Sequence, residues 1–184
     1  RHVRSLEASS FDAWIKLYRP DENTINTAVS YYLKGELAAW LMDLSIRRQT
    51  QGERSLDDVM RLLWDRQQKT GEGIDPAGVD ALYREATGID LDQEIQAWTR
   101  EVSDLPFDDE LKQVGLSLKG SWKKTHDRSR IEGGKAKDPA PWLGIITQHV
   151  GGTTKIAKIR SDGPAAETAI YAGDELIAIN DVRV

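Results

Sequence analysis

The sequence predicts an α+β protein, with an all-α helical domain of about five helices followed by a small β domain. Three observations carry this expectation. Apolar residues recur at helical spacing through residues 8–103, strand-like alternation begins after Pro141, and a basic, glycine-containing stretch separates the two regimes. The boundaries that follow are residues 1–118 for the helical domain, 119–138 for a basic mobile linker or loop, and 139–184 for the β domain.

The first helix is expected in SSFDAWIKLY, with Ser9 or Ser10 as cap, Phe11, Trp14, Ile15 and Tyr18 on its apolar face, and Pro20 as its stop. RPDENTIN reads as a polar turn. The second helix runs from about Val29 to Gln49, with Leu33, Leu37, Leu41 and Leu44 packing inward. A third starts at Ser55, where Ser-Leu-Asp-Asp is a capping box with Asp in the third position; Val59, Leu62, Leu63 and Trp64 form its stripe, and Gly71 and Gly73 close it. Asp75-Pro76 opens a fourth, ending at Gly88. Asp90 caps a fifth, with Leu91, Ile95, Trp98 and Val102 facing inward. DLPFDDELKQVGLSL suggests a short helical turn and then a strand. The stretch Lys119–Lys137 holds seven Lys or Arg against two acids, which fits a solvated linker or a polyanion-binding tail. WLGIITQHV, TTKIAKIR and DELIAIN then read as strands, with a short helix at SDGPAAETAI.

Composition narrows the function classes. A formal charge of −5 and a pI near 5.3 give no reason to expect nucleic-acid binding. No apolar run approaches the roughly 20 residues that cross a bilayer. With zero cysteines there is no disulfide, thiolate nucleophile or Cys-ligated metal. The histidines are His2, His126 and His149, none paired at i, i+4, so no H-E-x-x-H zinc site is present, nor is a G-x-S-x-G motif or a P-loop. The chain begins at Arg1 and stops directly after the strand-like LIAINDVRV, which reads as a fragment of a longer protein. Taken alone, these residues hold no complete catalytic constellation.

What remains unexplained by packing is the opening of the second helix, Tyr31-Tyr32-Leu33-Lys34-Gly35. Either tyrosine could equally be a helix-start residue with its ring in the core and its hydroxyl at the surface. On a helix the two side chains point about 100° apart, so one of them is expected to face any site. Asp21, Glu22 and Asn23, just before, could contact a substrate amine or cap the turn. Trp14, Trp40, Trp64 and Trp98 lie on apolar faces and are expected in the core, while Asp43 and Arg47, at i, i+4, are expected to form a structural pair.

Two resemblances add to this. DGPAAETAIYAGDELIAINDVRV resembles a PDZ domain of the bacterial protease type, through its G-P-A-A helix start, A-G-D turn and D-E-L-I-A-I-N-D. The resemblance implies that Trp142, Leu143, Gly144 and Ile145 form a peptide-binding loop for protein C-termini. Successive backbone N–H groups would receive the terminal carboxylate, Gly144 would allow close approach, and the strand Ile145–His149 would accept the peptide as an added strand. The second wall of such a groove, a further helix, is expected beyond Val184, so the domain is expected to be truncated; a plain β domain that binds no peptide is the alternative.

The segment SLEASSFDAWIKLYRPDENTINTAVSYYLKGELAAWLMDLSIRRQTQGERSLDDVMRLLW, with S-S-F-D-A-W, Y-R-P-D-E-N, S-Y-Y-x-K-G and L-D-D-V-M in order, resembles the part of the glycyl aminopeptidase family that follows its zinc site. The resemblance implies a parent metalloaminopeptidase that uses zinc, removes N-terminal residues from peptides or proteins with glycine favoured, and has a periplasmic address ahead of a cytoplasmic one. It implies an H-E-x-x-H motif before Arg1, so this fragment is expected to bind no zinc and to be inactive. It also assigns Tyr32, with Tyr31 as the neighbouring candidate, as the catalytic tyrosine. Its hydroxyl would donate to the oxyanion formed at the scissile carbonyl. A non-catalytic helical scaffold carrying a PDZ module is the alternative.

Overall fold

A computed structural model describes residues 3–119 and 142–184. The expected linker at 119–138 therefore lies outside the described residues except for Lys119, as do His2 and His126. The α+β class is observed: helices occupy the first part of the chain and short antiparallel strands the last. The chain divides into two units, residues 1–14 with 29–119 and residues 15–28 with 120–184.

In the helical unit, α1 (Leu6–Phe11) is capped by Ser5, whose Oγ accepts from the Ala8 N–H at 3.1 Å. The cap thus sits upstream of Ser9 and Ser10, and Ser9 is buried with its hydroxyl on the Ser5 carbonyl. The chain breaks at Asp12, which pairs with Arg4, before α2 (Ala13–Lys16). This break divides the single helix expected there, and its aromatic face is solvent-exposed, with Phe11 at 89% and Trp14 at 77%.

The core is built on α4 (Tyr31–Gln49). Its Ala38, Leu41, Met42 and Ile46 pack against Leu91, Ile95 and Trp98. Of the expected leucine stripe, Leu41 is fully buried and Leu44 packs against the core, while Leu33 is exposed and Ala38, Met42, Ser45 and Ile46 are buried beside Leu41. Helix α5 (Leu56–Thr70) carries the expected capping box. The Ser55 N–H donates to the Asp58 carboxylate at 2.8 Å, which holds that carboxylate below the usual range, and Gly71 ends the helix at φ +69°. Asp43 joins α4 to α5. One oxygen receives the Arg47 guanidinium at 2.7 Å and the other receives the Leu56 N–H at 2.8 Å. The expected structural pair is therefore present. Asp43→Ala, which strands a helix-start N–H, should destabilise the chain by about 1–2 kcal/mol in urea unfolding.

Asp75 and Pro76 open a turn that leads into α6 (Val79–Thr87), and Gly88 closes it. Helix α7 (Asp92–Ile95) follows, with the Asp90 carboxylate accepting the Asp92 N–H. It runs on into a wide π turn over Gln96–Arg100, closed by the Glu101 N–H on the Gln96 carbonyl. The extra residue in that turn shifts the helical phase. Trp98 stays buried, while Val102, expected inside, is half exposed. Helix α8 (Phe107–Gln113) lays Phe107 beside Trp40, and Leu116–Leu118 form no strand. Of the four tryptophans expected in the core, only Trp98 is there. Trp14, Trp40 and Trp64 are exposed, and Trp64 lines an open groove of about 760 Å³ with Met60, Leu63, Ile74 and Leu82.

In the second unit, β1 (Ile145–Val150) pairs antiparallel with β2 (Thr153–Ile159) across Gly151-Gly152, both at positive φ as a two-residue hairpin turn requires. The expected third strand is mostly irregular. Residues 173–176 run along the other edge of β2, with the Ile156 N–H on the Asp174 carbonyl and the Leu176 N–H on the Thr154 carbonyl, each at 2.8 Å. Regular pairing is confined to β3 (Ala178–Ile179) and β4 (Val182–Arg183). Strand β1 is therefore the outer edge, with no partner on its far side among the described residues.

Candidate functional site

Ser30 sets the start of α4. Its backbone is extended, its Oγ accepts the Leu33 N–H at 3.3 Å, and its carbonyl accepts the Lys34 N–H at 2.9 Å. The cap puts both tyrosines in the first turn. Tyr32 is 60% exposed and Tyr31 half-buried. Their rings are stacked, with centroids 4.2 Å apart and planes 29° apart, although successive helix positions diverge by about 100°. The two rings thus form one aromatic surface.

Lys34 acquires a role that sequence did not show: its Nζ donates to the Ser103 carbonyl at 2.9 Å, tying the helix start to the segment after the π turn. Gly35 does not admit another backbone. A Cβ there would meet the Leu6 side chain at 3.9 Å, an ordinary contact, beside a recess of about 290 Å³. Gly35→Ala should therefore raise unfolding stability by roughly 0.5–1 kcal/mol, because helical glycine carries that entropic cost.

The loop before the tyrosines is also ordered by its own side chains. The Asp21 carboxylate accepts from the Thr24 hydroxyl at 2.8 Å and from the Asn23 N–H at 3.1 Å; the Thr24 bond in particular holds it below the usual carboxylate range. Asp21 thereby acts as a turn cap. Thr24–Thr27 form the single-turn helix α3, and this whole loop groups with the second unit.

At the other candidate site, Trp142 is half-buried with Arg160 over its ring, Leu143 is exposed, Gly144 is buried and Ile145 begins β1. The Leu143 carbonyl accepts the Ala165 N–H at 3.0 Å and the Gly144 carbonyl accepts the Arg160 N–H at 2.7 Å. Gly144 has φ +78°, and a Cβ on it would sit 2.6 Å from the Gly163 Cα. The glycine expected to admit a ligand is therefore required by the fold itself.

Among the described residues no three His, Asp or Glu side chains converge in a group that could hold a metal ion, and no helix is long and apolar enough to cross a membrane.

Comparison with known proteins shows what this chain is similar to. The crystal structure of an aminopeptidase N family protein from Idiomarina loihiensis superposes with a TM-score of 0.74 at 28% identity, covering 99% of this chain and 31% of that one. The present chain thus spans about a third of that solved relative. The M61 glycyl aminopeptidase family model matches residues 1–38, a span that includes the Tyr31–Gly35 motif. No curated protein matches the chain.

Proposed function

We propose that this chain is part of a zinc-dependent aminopeptidase in which Tyr32 serves the chemical step and the C-terminal unit binds peptides. The observation that carries the reading is the stacked tyrosine pair at a capped helix start, Tyr32 exposed and Tyr31 half-buried, within the span matched by the peptidase family model. A phenol at the end of a rigid helix is preorganised to donate its O–H to the oxyanion that develops as a peptide carbonyl is attacked. Zinc, which would polarise that carbonyl, would be held by residues outside those described. The leaning towards N-terminal glycine rests on family resemblance.

For the second unit the proposal is capture of a peptide C-terminus. The loop at Leu143–Gly144 is braced through its carbonyls, and the outer edge of β1 can accept an added strand. The test of the enzyme reading is turnover of a glycyl reporter by the full-length protein with Tyr32→Phe, alongside its zinc content. Full turnover in that variant would return Tyr32 to a structural role.

A further inference from the structure

The opening of α4 is electrostatically unusual. A helix N-terminus carries partial positive charge, and an acid in the first turn is its natural complement. Here the first turn holds no acid, and a lysine, Lys34, stands at its end. Burial is slight in this stretch as well: the buried residues of the helix begin at Ala38, and Leu33 is exposed. The lysine is nevertheless engaged. Its half-buried ammonium donates to the Ser103 carbonyl at 2.9 Å, across 69 positions of sequence. A hydrogen bond from a charged donor is among the stronger ones.

The acceptor is itself held. The Ser103 hydroxyl donates to the Ala97 carbonyl at 2.5 Å, inside the π turn over Gln96–Arg100. Trp98, next to Ala97, is buried in the core, and Leu105, two positions after Ser103, packs against the same core. Ser103 is therefore fastened from both directions along the chain, and its carbonyl is a fixed point. A π turn carries one residue more than an α-helical turn, so it re-aims the chain that leaves it. Lys34, Ala97, Trp98 and Ser103 all belong to the helical unit.

We propose that Lys34 is a positioning residue for the tyrosine pair, pinning the start of α4 to the exit of the π turn through the Ser103 carbonyl. Lys34 lies three positions after Tyr31 and two after Tyr32, so the pinned residue closes the turn that bears both rings. The π turn thereby sets where the two phenols stand. The bearing of this strut on catalysis rests on the role proposed for Tyr32, but the positioning itself is independent of it. Loss of the ammonium should loosen the first turn of α4 while leaving the core of Leu41, Ile95 and Trp98 intact.

The experiment is NMR and amide hydrogen exchange on the whole 184-residue chain with Lys34→Met, Ser103→Ala and the two combined. Methionine keeps an unbranched stem and removes the donor. It should speed exchange of the Leu33 amide roughly tenfold, as expected for one lost hydrogen bond, and shift the ring resonances of Tyr31 and Tyr32, while Ile95 keeps its protection. Ser103→Ala removes the hydroxyl that fastens the acceptor, so it should move the same ring resonances in the same direction. In the combined variant the alanine should add nothing at the rings, because the strut it acts through is already gone. If Lys34→Met also strips protection from Ile95, Ser103→Ala decides, since it leaves the ammonium in place: shifted rings uphold the proposal and unmoved rings overturn it. Rings unmoved by Lys34→Met would overturn it too. So would ring shifts that simply add in the combined variant, since two unrelated packing defects would behave that way. None of these readouts needs turnover, so failure here and failure of the Tyr32 activity test are separate results.

Discussion

Tyr32→Phe in the full-length protein should lower turnover by about a hundredfold or more while KM changes little, because the lost donor acts on charge present only in the transition state. The substitution removes one oxygen and keeps the ring. Stacking on Tyr31 and the exposure of the site are both compatible with phenylalanine, so folding stability should shift by no more than about 0.5 kcal/mol. This separation makes the test clean: a thermal unfolding curve and a zinc assay alike the parent's, with a collapsed rate, isolates the hydroxyl. Tyr31→Phe is the internal control. If it, and not Tyr32→Phe, carries the loss, the half-buried neighbour is the donor.

Gly144→Ala should destabilise the second unit by about 2–5 kcal/mol. Two costs combine. Placing a side chain at φ +78° costs about 1–2 kcal/mol, and forcing a methyl to within 2.6 Å of the Gly163 Cα costs about 1–3 kcal/mol more, since backbone and not a flexible side chain must move. That movement would also strain the hydrogen bonds of the Leu143 and Gly144 carbonyls. Gly163→Ala is the informative companion: it meets the same contact from the other side at φ −102°, without the left-handed penalty, so it should be the milder of the two. Hydrogen exchange at the Ile156 amide reports on this unit specifically. Equal loss in both variants would mean that contact alone, and not backbone conformation, sets the cost.

Much of the helical unit was legible because its signals are local. Capping at Ser55 and Gly88, the Pro76 turn and the Asp43–Arg47 pair each depend on residues within a few positions. The aromatic residues misled for the opposite reason. Hydrophobicity marks Phe11, Trp14, Trp40 and Trp64 as inward, but which apolar stripe is buried depends on what packs against it, and that is non-local. Val102 left the core through a π turn that no spacing rule anticipates.

The sequence by itself determined that helices precede strands and where several helices are capped and closed, since those signals are written in neighbouring residues, whereas a family resemblance is what singles out Tyr32. Tertiary structure alone decided that Tyr31 and Tyr32 stack, that Lys34 reaches Ser103, that Gly144 is claimed by Gly163, and that Asn26 grips Ile159 and Ser161. Apart from the neighbouring tyrosines, whose stacking reflects side-chain conformation, these contacts join residues from 19 to 135 positions apart. Distances of that kind are fixed by the packed chain, and no local pattern encodes them.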